Sequence, residues 1–344
     1  MRLPERAEAR PPYEVARSVP RIPLFSLQIA AHEAKLAGPT NNKLGGRVRV
    51  LVASLIALAA ISMPALAREA RQPSLKSQAA LVVDQESGEI LLGKNAESTL
   101  PIASLTKLMT AIVTLDAELN LEEPVTVTKA DVDRLRGSHS RLQVGTTLSR
   151  DEMLHLALMA SENRAASAIA NSYPGGRDSC VLAMNLKAQL LGMSGTRFED
   201  GTGLSGHNVS TAQDLAKLVQ AAHAYPKIRD FTTSTSYQVK VGRRMMRFGN
   251  TNNLTRSSHW DIGLSKTGYI AEAGRCLVMQ VTLTGRSIII VLLDSWGKYT
   301  RVGDATRIRQ WLEFASGRPA HRTSAALPTP GDFAALPGTN DPPG

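Results

Sequence analysis

Two β-rich runs, residues 276–284 and 287–293, are separated by Gly285-Arg286 alone. So short a connection with glycine first permits little except a tight hairpin, and it reads as a type II′ turn. A lone hairpin cannot bury its apolar face, so further strands have to come from elsewhere in the chain. They lie some 190 residues upstream in sequence: residues 79–83 form a short apolar strand, Gln85-Glu86-Ser87-Gly88 a turn, and residues 89–92 a second strand. Any sheet containing all four runs must be built from both ends of the folded part of the chain.

Between those ends the pattern is mostly helical. Residues 150–159 are amphipathic, residues 164–171 are Ala-rich, Tyr173-Pro174-Gly175-Gly176 breaks the chain, and residues 182–191 form another helix. A further helix starts within residues 208–215, where Ser210 and Gln213 have the spacing of a capping box. Residues 301–314 close the pattern with Val302, Ala305, Ile308 and Leu312 near one helix face. Strands at both ends and helices between them predict one discontinuous α/β domain. A mostly antiparallel sheet would come from the two ends, a helical subdomain would be inserted over about residues 106–235, and the cleft between them would be the natural site.

The flanks have a different character. Residues 43–67 run from basic Lys43, Arg47 and Arg49 through an apolar stretch to Ala65-Leu66-Ala67, the order of a secretory signal peptide cleaved after Ala67. The apolar run falls short of the ~20 residues a membrane-spanning helix needs. Residues 1–42 precede this signal awkwardly and read as an untranslated or disordered extension, with translation starting later than Met1 at a non-Met codon. Residues 318–344, rich in Pro, Gly and Thr, read as a disordered tail. The intervening 68–317 would be the working domain of an exported, periplasmic protein.

Of the 40 Lys and Arg residues, nine fall in residues 1–67 beside four of the 30 Asp and Glu, which leaves 31 against 26 and a net charge of +5 instead of +10. Mild, scattered basicity fits peripheral association with an anionic wall, membrane surface or wall protein, and gives no stripe with interleaved aromatics for nucleic acid. Cys180 and Cys276 are far apart and are expected as separate buried thiols rather than a disulfide. With no Cys-x-x-Cys, no His-Glu-x-x-His and no ligand spacing among His139, His155, His207, His223 and His259, no metal site is expected. Trp260, Trp296 and Trp311 are expected to pack in the core or at its rim.

Chemistry enters at PIASLTKLMTA, residues 101–111. Leu105, Leu108, Met109 and Ile112 recur at helical intervals, so Ser104 and Lys107 would share one face in a first helical turn. A desolvated lysine can take the proton of a serine and make it a nucleophile. The same four residues are equally consistent with an ordinary helix start. Two later motifs bear on the choice: Ser161-Glu162-Asn163, between two predicted helices, and Lys266-Thr267-Gly268, leading into the C-terminal strands.

Ser-x-x-Lys, Ser-x-Asn and Lys-Thr-Gly in that order are the motif set of penicillin-binding proteins and class A β-lactamases. The chain resembles the low-molecular-mass penicillin-binding proteins, serine D-alanyl-D-alanine peptidases with a β-lactamase-like fold, and among them the endopeptidase type. The resemblance spans nearly all of residues 75–316, including the stretches 137–176, 202–218 and 266–280. It implies that Ser104 attacks the carbonyl of a penultimate D-alanine while Lys107 takes its proton. Ser161 would relay a proton to the leaving amine, and Asn163 would hold Lys107 and the substrate amide. Lys266 would supply positive charge, Thr267 would bind on the substrate's carboxylate side, and Gly268 would let the strand come close. The N–H groups of Ser104 and Tyr269 would form the oxyanion hole.

No cofactor is implied. The implied partners are peptidoglycan stems and cross-links, with β-lactams as covalent inhibitors of Ser104. A β-lactamase is disfavoured because Gly203 stands where asparagine should follow Glu199, the nearest candidate for activating water. A carboxypeptidase trimming pentapeptide stems is the nearer alternative, and a non-catalytic penicillin- or wall-binding protein is the alternative of another class. Gly201, where the resemblance expects proline, implies a looser loop there. Arg141 and Arg275 lie in resembling stretches and are candidates for contact with an acidic stem.

Overall fold

The computed structural model describes residues 72–316; the signal peptide, the extension before it and the Pro/Gly-rich tail read from the sequence lie outside them. Five strands form one sheet in the order β2-β1-β11-β10-β9, and every neighbouring pair is antiparallel. They are β1 (Ser77–Asp84), β2 (Ile90–Lys94), β9 (Asp261–Ile270), β10 (Gly274–Leu283) and β11 (Arg286–Ser295). Among the described residues the first strand therefore pairs with the last, Ser77 opposite Ser295 and Asp84 opposite Ile288. The α/β sheet built from both ends is the architecture expected from the sequence.

Alternation along the strands sends side chains to two separate cores. Ala79, Leu81, Val278, Ile289 and Val291 face a large core shared with the helices, whereas Ala80, Val82, Leu277, Met279, Ile290 and Leu292 face a smaller one. The smaller core is closed by Ala305, Ile308 and Leu312 of the helix α7 (Thr300–Ala315). Each Val, Leu, Ile or Met among them that is fully buried contributes roughly 1.5–3 kcal/mol of transfer free energy. Because both faces are covered, the strands read as near-continuous apolar runs.

The large core belongs to α1 (Lys107–Asp116), α2 (Arg150–Met159), α3 (Asn163–Asn171), α4 (Gly176–Leu190), α5 (Ala212–His223) and α6 (Pro226–Thr233). Short two-stranded pairs tie the helical part together: β3 (Leu100–Pro101) with β6 (Val209–Ser210), β4 (Pro124–Thr126) with β5 (Thr147–Ser149), and the hairpin β7 (Ser236–Val241) with β8 (Arg244–Gly249). Among the described residues, no helix is long and apolar enough to cross a membrane.

Local details differ from the sequence reading in instructive ways. The β10–β11 turn is Thr284-Gly285, not Gly285-Arg286, because Leu283 pairs with Arg286. Both turn residues have positive φ, 55° and 81°, which makes the turn type I′ rather than II′. The register is held by Arg286, whose Nε donates to Asp84 Oδ2 at 2.6 Å. The α5 cap is Thr211, which accepts from the Asp214 N–H, while Ser210 sits in β6 and bonds Thr196. The α6 helix and the β7–β8 hairpin carried no expectation. Cys180 and Cys276 are separate, buried and free. Trp296 departs from core or rim packing, being 88% exposed.

One buried carboxylate clamps the start of the fold to its end. Asp304 of α7 accepts from the Ser77 N–H at 2.7 Å, the Ser77 hydroxyl at 2.6 Å and the Lys76 N–H at 3.1 Å, and pairs with Arg307. Replacing Asp304 by alanine leaves the buried Ser77 N–H without an acceptor. Asp304→Ala is expected to lose about 3 kcal/mol of stability in urea denaturation, and Ser77→Ala about 1 kcal/mol.

Candidate active site

Ser104 stands on a one-turn 3-10 helix, Ala103–Thr106, that leads directly into α1. It is thus one turn ahead of the α-helix rather than inside its first turn, and the Ser104–Lys107 spacing of three keeps both side chains on one side. The turn is forced into shape from several directions. Ala103 has φ +48°, in the left-handed region that a non-glycine residue occupies only under outside constraint. The Ile102 N–H donates to Asn208 O at 3.0 Å, and Asn208 Nδ2 donates to Thr106 Oγ1 at 3.2 Å.

Two glycines let neighbouring backbone close on this turn. A Cβ on Gly203, whose φ is +83°, would fall 2.0 Å from Ala103 O. On Gly268 of β9 it would fall 2.9 Å from Ile102 O and 3.1 Å from the Ser104 nitrogen. Gly268 therefore permits the edge strand to lie beside the serine. The next residue, Tyr269, has an exposed ring with the Arg275 guanidinium 4.6 Å from its centroid.

Lys107 is 1% exposed, and its Nζ has three partners: Ser104 Oγ at 2.8 Å, Asn163 Oδ1 at 2.8 Å and Thr202 O at 2.6 Å. A protonated amine donates to all three. A neutral amine donates to the two carbonyl oxygens and turns its lone pair to the Ser104 hydroxyl, which then donates to it. Burial pushes Lys107 down to about 8, against the opposing pull of Asp200 and Glu162. Both protonation states are thus accessible near neutrality.

The second lysine is built the same way. Lys266, also 1% exposed on β9, donates to Ser161 Oγ at 2.9 Å and to Thr267 O at 3.0 Å. Burial first, then the positive charges of Lys107 and Arg301, hold it well below the ordinary lysine range. Ser161 has φ +57°, a second strained residue at the site. Asn163 at the start of α3 donates through Nδ2 to Ser138 Oγ at 3.0 Å while its oxygen holds Lys107. The Thr267 hydroxyl donates to Thr251 Oγ1 at 2.7 Å or accepts from it. The structure brings together Ser104, Lys107, Ser161, Asn163, Lys266, Thr267 and Gly268, all of the motif residues.

Other contributors were not legible in the motifs. Asp200 ties the loop that presents Thr202 O, accepting from the Thr202 N–H at 2.5 Å, the Gly203 N–H at 2.7 Å and the Ser205 N–H at 2.8 Å. Burial works to raise its carboxyl, but these bonds together with the Thr202 hydroxyl hold it below the usual carboxylate range. The Gly201 loop is therefore firmly held, contrary to the looser loop expected: Thr110 Oγ1 donates to Gly201 O at 2.7 Å, and a Cβ there would lie 2.9 Å from the Ala170 methyl. Glu162 is buried against Ser140, burial raising its carboxyl. Arg301 donates to Gly268 O at 3.1 Å and Cys276 O at 3.2 Å, placing a partly buried guanidinium behind β9. Arg141, a candidate for contact with an acidic stem, stacks on Phe248 at 3.8 Å and donates to Arg247 O.

A serine bonded to a buried, depressed lysine, backed by a second buried lysine on a sheet edge, is a centre for acyl transfer. Comparison with known proteins agrees. The family described as D-alanyl-D-alanine carboxypeptidase, peptidase S11, matches residues 66–297. The chain belongs to this family. It is 45% identical over 275 residues to the D-alanyl-D-alanine endopeptidase of Pseudomonas aeruginosa, covering 79% of this chain and 89% of that one. It is 42% identical over 262 residues to the endopeptidase of the same name from Escherichia coli, covering 76% and 84%. A Streptomyces DD-transpeptidase crystal structure superposes with a TM-score of 0.66 at 31% identity, covering 71% of this chain and 99% of that one. The protein is accordingly a serine peptidase of the DD-peptidase class with the penicillin-binding fold.

Gly203 offers a direct check on the DD-peptidase centre. Gly203→Ala combines a forbidden φ with a Cβ driven onto Ala103 O. A loss of about 3 kcal/mol in thermal unfolding is expected, or, where the fold yields instead, at least a tenfold fall in the acylation rate of Ser104.

Proposed function

We propose that this S11 peptidase is a serine DD-endopeptidase that hydrolyses D-alanyl–diaminopimelate cross-links of peptidoglycan through a Ser104 acyl-enzyme. The observation that carries the reading is Lys107 Nζ, bonded at once to Ser104 Oγ, Asn163 Oδ1 and Thr202 O in a buried setting. The endopeptidase reading, as against carboxypeptidase, is supported by the names of the relatives at 45% and 42% identity. The carboxypeptidase alternative is supported by a Streptomyces D-alanyl-D-alanine carboxypeptidase at 31% identity.

In this reading the two carbonyl acceptors hold the Lys107 amine with its lone pair on the Ser104 hydroxyl. Lys107 takes the proton as the Oγ–carbon bond forms, and the N–H groups of Ser104 and Tyr269 receive the charge developing on the carbonyl oxygen. Ser161, bonded to Lys266 at 2.9 Å, passes a proton to the amine that leaves as the peptide bond breaks. Ser161 regains its proton from Lys107, which returns to the neutral amine; water then attacks the ester carbon and gives its proton to Lys107, which passes it to Ser104 Oγ as the ester bond breaks. Lys266 and Thr267 bind the carboxylate side of the substrate, and Asn163 holds the substrate amide as well as Lys107. A β-lactam enters by the same acylation. The enzyme that does this work would be residues 68–317, exported by the 43–67 signal to the periplasm.

Purified protein is to be given cross-linked muropeptide dimers and pentapeptide monomers, with products followed by mass spectrometry and Ser104→Ala as control. Loss of dimers with the unaltered protein alone is the expected result. Intact dimers with trimmed pentapeptides would make it a carboxypeptidase, and no change in either would favour a binding protein. Because Lys107 acts as the neutral amine, acylation by benzylpenicillin is expected to fall as pH drops below about 8, approaching tenfold per unit, and to level off above it. A rate flat from pH 6 to 9 would remove Lys107 from the role of base.

A further inference from the structure

Beside the catalytic residues lies an open cavity of about 730 Å³, and the acylation chemistry above makes no use of it. Two of its lining residues, Asn163 and Thr202, are the ones whose oxygens hold Lys107, so the cavity begins one side chain away from the nucleophile. Its far walls come from the 129–135 segment, the start of α4 and the 199–207 loop.

The charges in it fall into two groups. Three of its carboxylates are already committed on both oxygens: Asp131 to Thr128, Ser167 and Asn171, Asp133 to the N–H groups of Leu135, Arg136 and Ser138, and Asp200 to its own loop. Glu199 is bonded through Oε2 to Ser205, and its Oε1 has no partner among the described residues. On the cationic side, Arg134 and Arg177 both line the cavity, are exposed, and have no acceptor among the described residues. What is unspent is two guanidinium groups, the exposed Lys129 ammonium that also lines the cavity, and one carboxylate oxygen. That set is complementary to a group carrying a carboxylate and an ammonium together, and guanidinium is the side chain best suited to grip a carboxylate.

The geometry points to this cavity as the subsite for the free zwitterionic end of a diamino acid in the acyl-donor stem, Arg134 and Arg177 taking its carboxylate and Glu199 its ammonium. This rests on the endopeptidase reading, since the donor stem of a D-alanyl–diaminopimelate cross-link carries such an end one residue before the bond that is cut. Leu135 and Leu204, also lining the cavity, offer apolar surface to the methylenes between the zwitterion and the stem. A stem with lysine in that place keeps the ammonium but lacks the carboxylate, and a stem with that carboxylate amidated loses its charge. Both should be poor donors.

The test compares kcat/KM for donor stems containing meso-diaminopimelate, its carboxamide, or lysine, using the unaltered protein, Arg134→Gln/Arg177→Gln and Glu199→Gln. The expected result is about a tenfold preference of the unaltered protein for diaminopimelate, lost in the double arginine variant and weakened in Glu199→Gln, with benzylpenicillin labelling of Ser104 unchanged throughout. Titration of Ser104→Ala protein with the corresponding uncleaved stems reads the same preference without chemistry. Discrimination in the titration with no hydrolysis of any stem would keep the subsite and discard the endopeptidase reading. Hydrolysis of all three stems within twofold of each other, or discrimination that survives the double arginine variant, would overturn the subsite.

Discussion

Two lysine amines are held almost out of reach of water, at 1% exposure each, and neither makes an ion pair among the described residues. Burying an ammonium without a counter-charge costs several kcal/mol, and the amine's usual response is to lose its proton. Much of the local architecture can be understood as supplying neutral acceptors to these two amines and nothing stronger. Thr202 O must reach Lys107, so the 200–205 loop is wound on Asp200, and Gly203 is the residue that lets that loop press on the Ser104 turn. Asp200 is near enough to moderate the shift at Lys107 but is not bonded to it, so the lysine stays depressed without being locked in either state.

The sheet contributes stiffness. β9 is an edge strand, yet it is covered on both faces, and its Gly268 rests against the backbone of the Ser104 turn. Arg301 binds Gly268 O from behind, and Asp304 one helical turn later binds Ser77 on β1. Helix α7 thus braces the catalytic edge and β1 together. Strain at Ala103 and Ser161 persists because these surroundings leave the two residues no alternative.

The parts of this structure legible in sequence are those with local signals. Periodicity gave α2 with its observed bounds and α7 to within a residue or two, and the three motifs named the residues that meet around Ser104. Features that depend on distant partners left weaker traces. Thr284 adopts a positive φ because the pairing of Leu283 with Arg286 leaves it as the first of two turn residues, and a threonine gives no turn propensity for that. Ser210 and Gln213 have capping-box spacing, but Thr196 claims the serine hydroxyl and the cap passes to Thr211. Asp200, Glu162 and Arg301 act through burial, which a sequence shows only once the surrounding fold is known. Gly201 looked like slack and is instead a point of close contact with Ala170.

The pairing of β1 with β11 also has a consequence in time. Ser77 meets Ser295 across 218 positions, and the Ser104 turn is completed by Gly268 of β9 and braced by Arg301. Contacts of such long range form late, because the chain between them must first be closed into a loop. As synthesis proceeds from the N-terminal end, Ser104 and Lys107 emerge well over a hundred residues ahead of the strand that shapes their pocket. Until that strand and α7 arrive, the surroundings that bury Lys107 and shape the Ser104 turn are incomplete, so the catalytic pair is assembled only when most of the domain has been made.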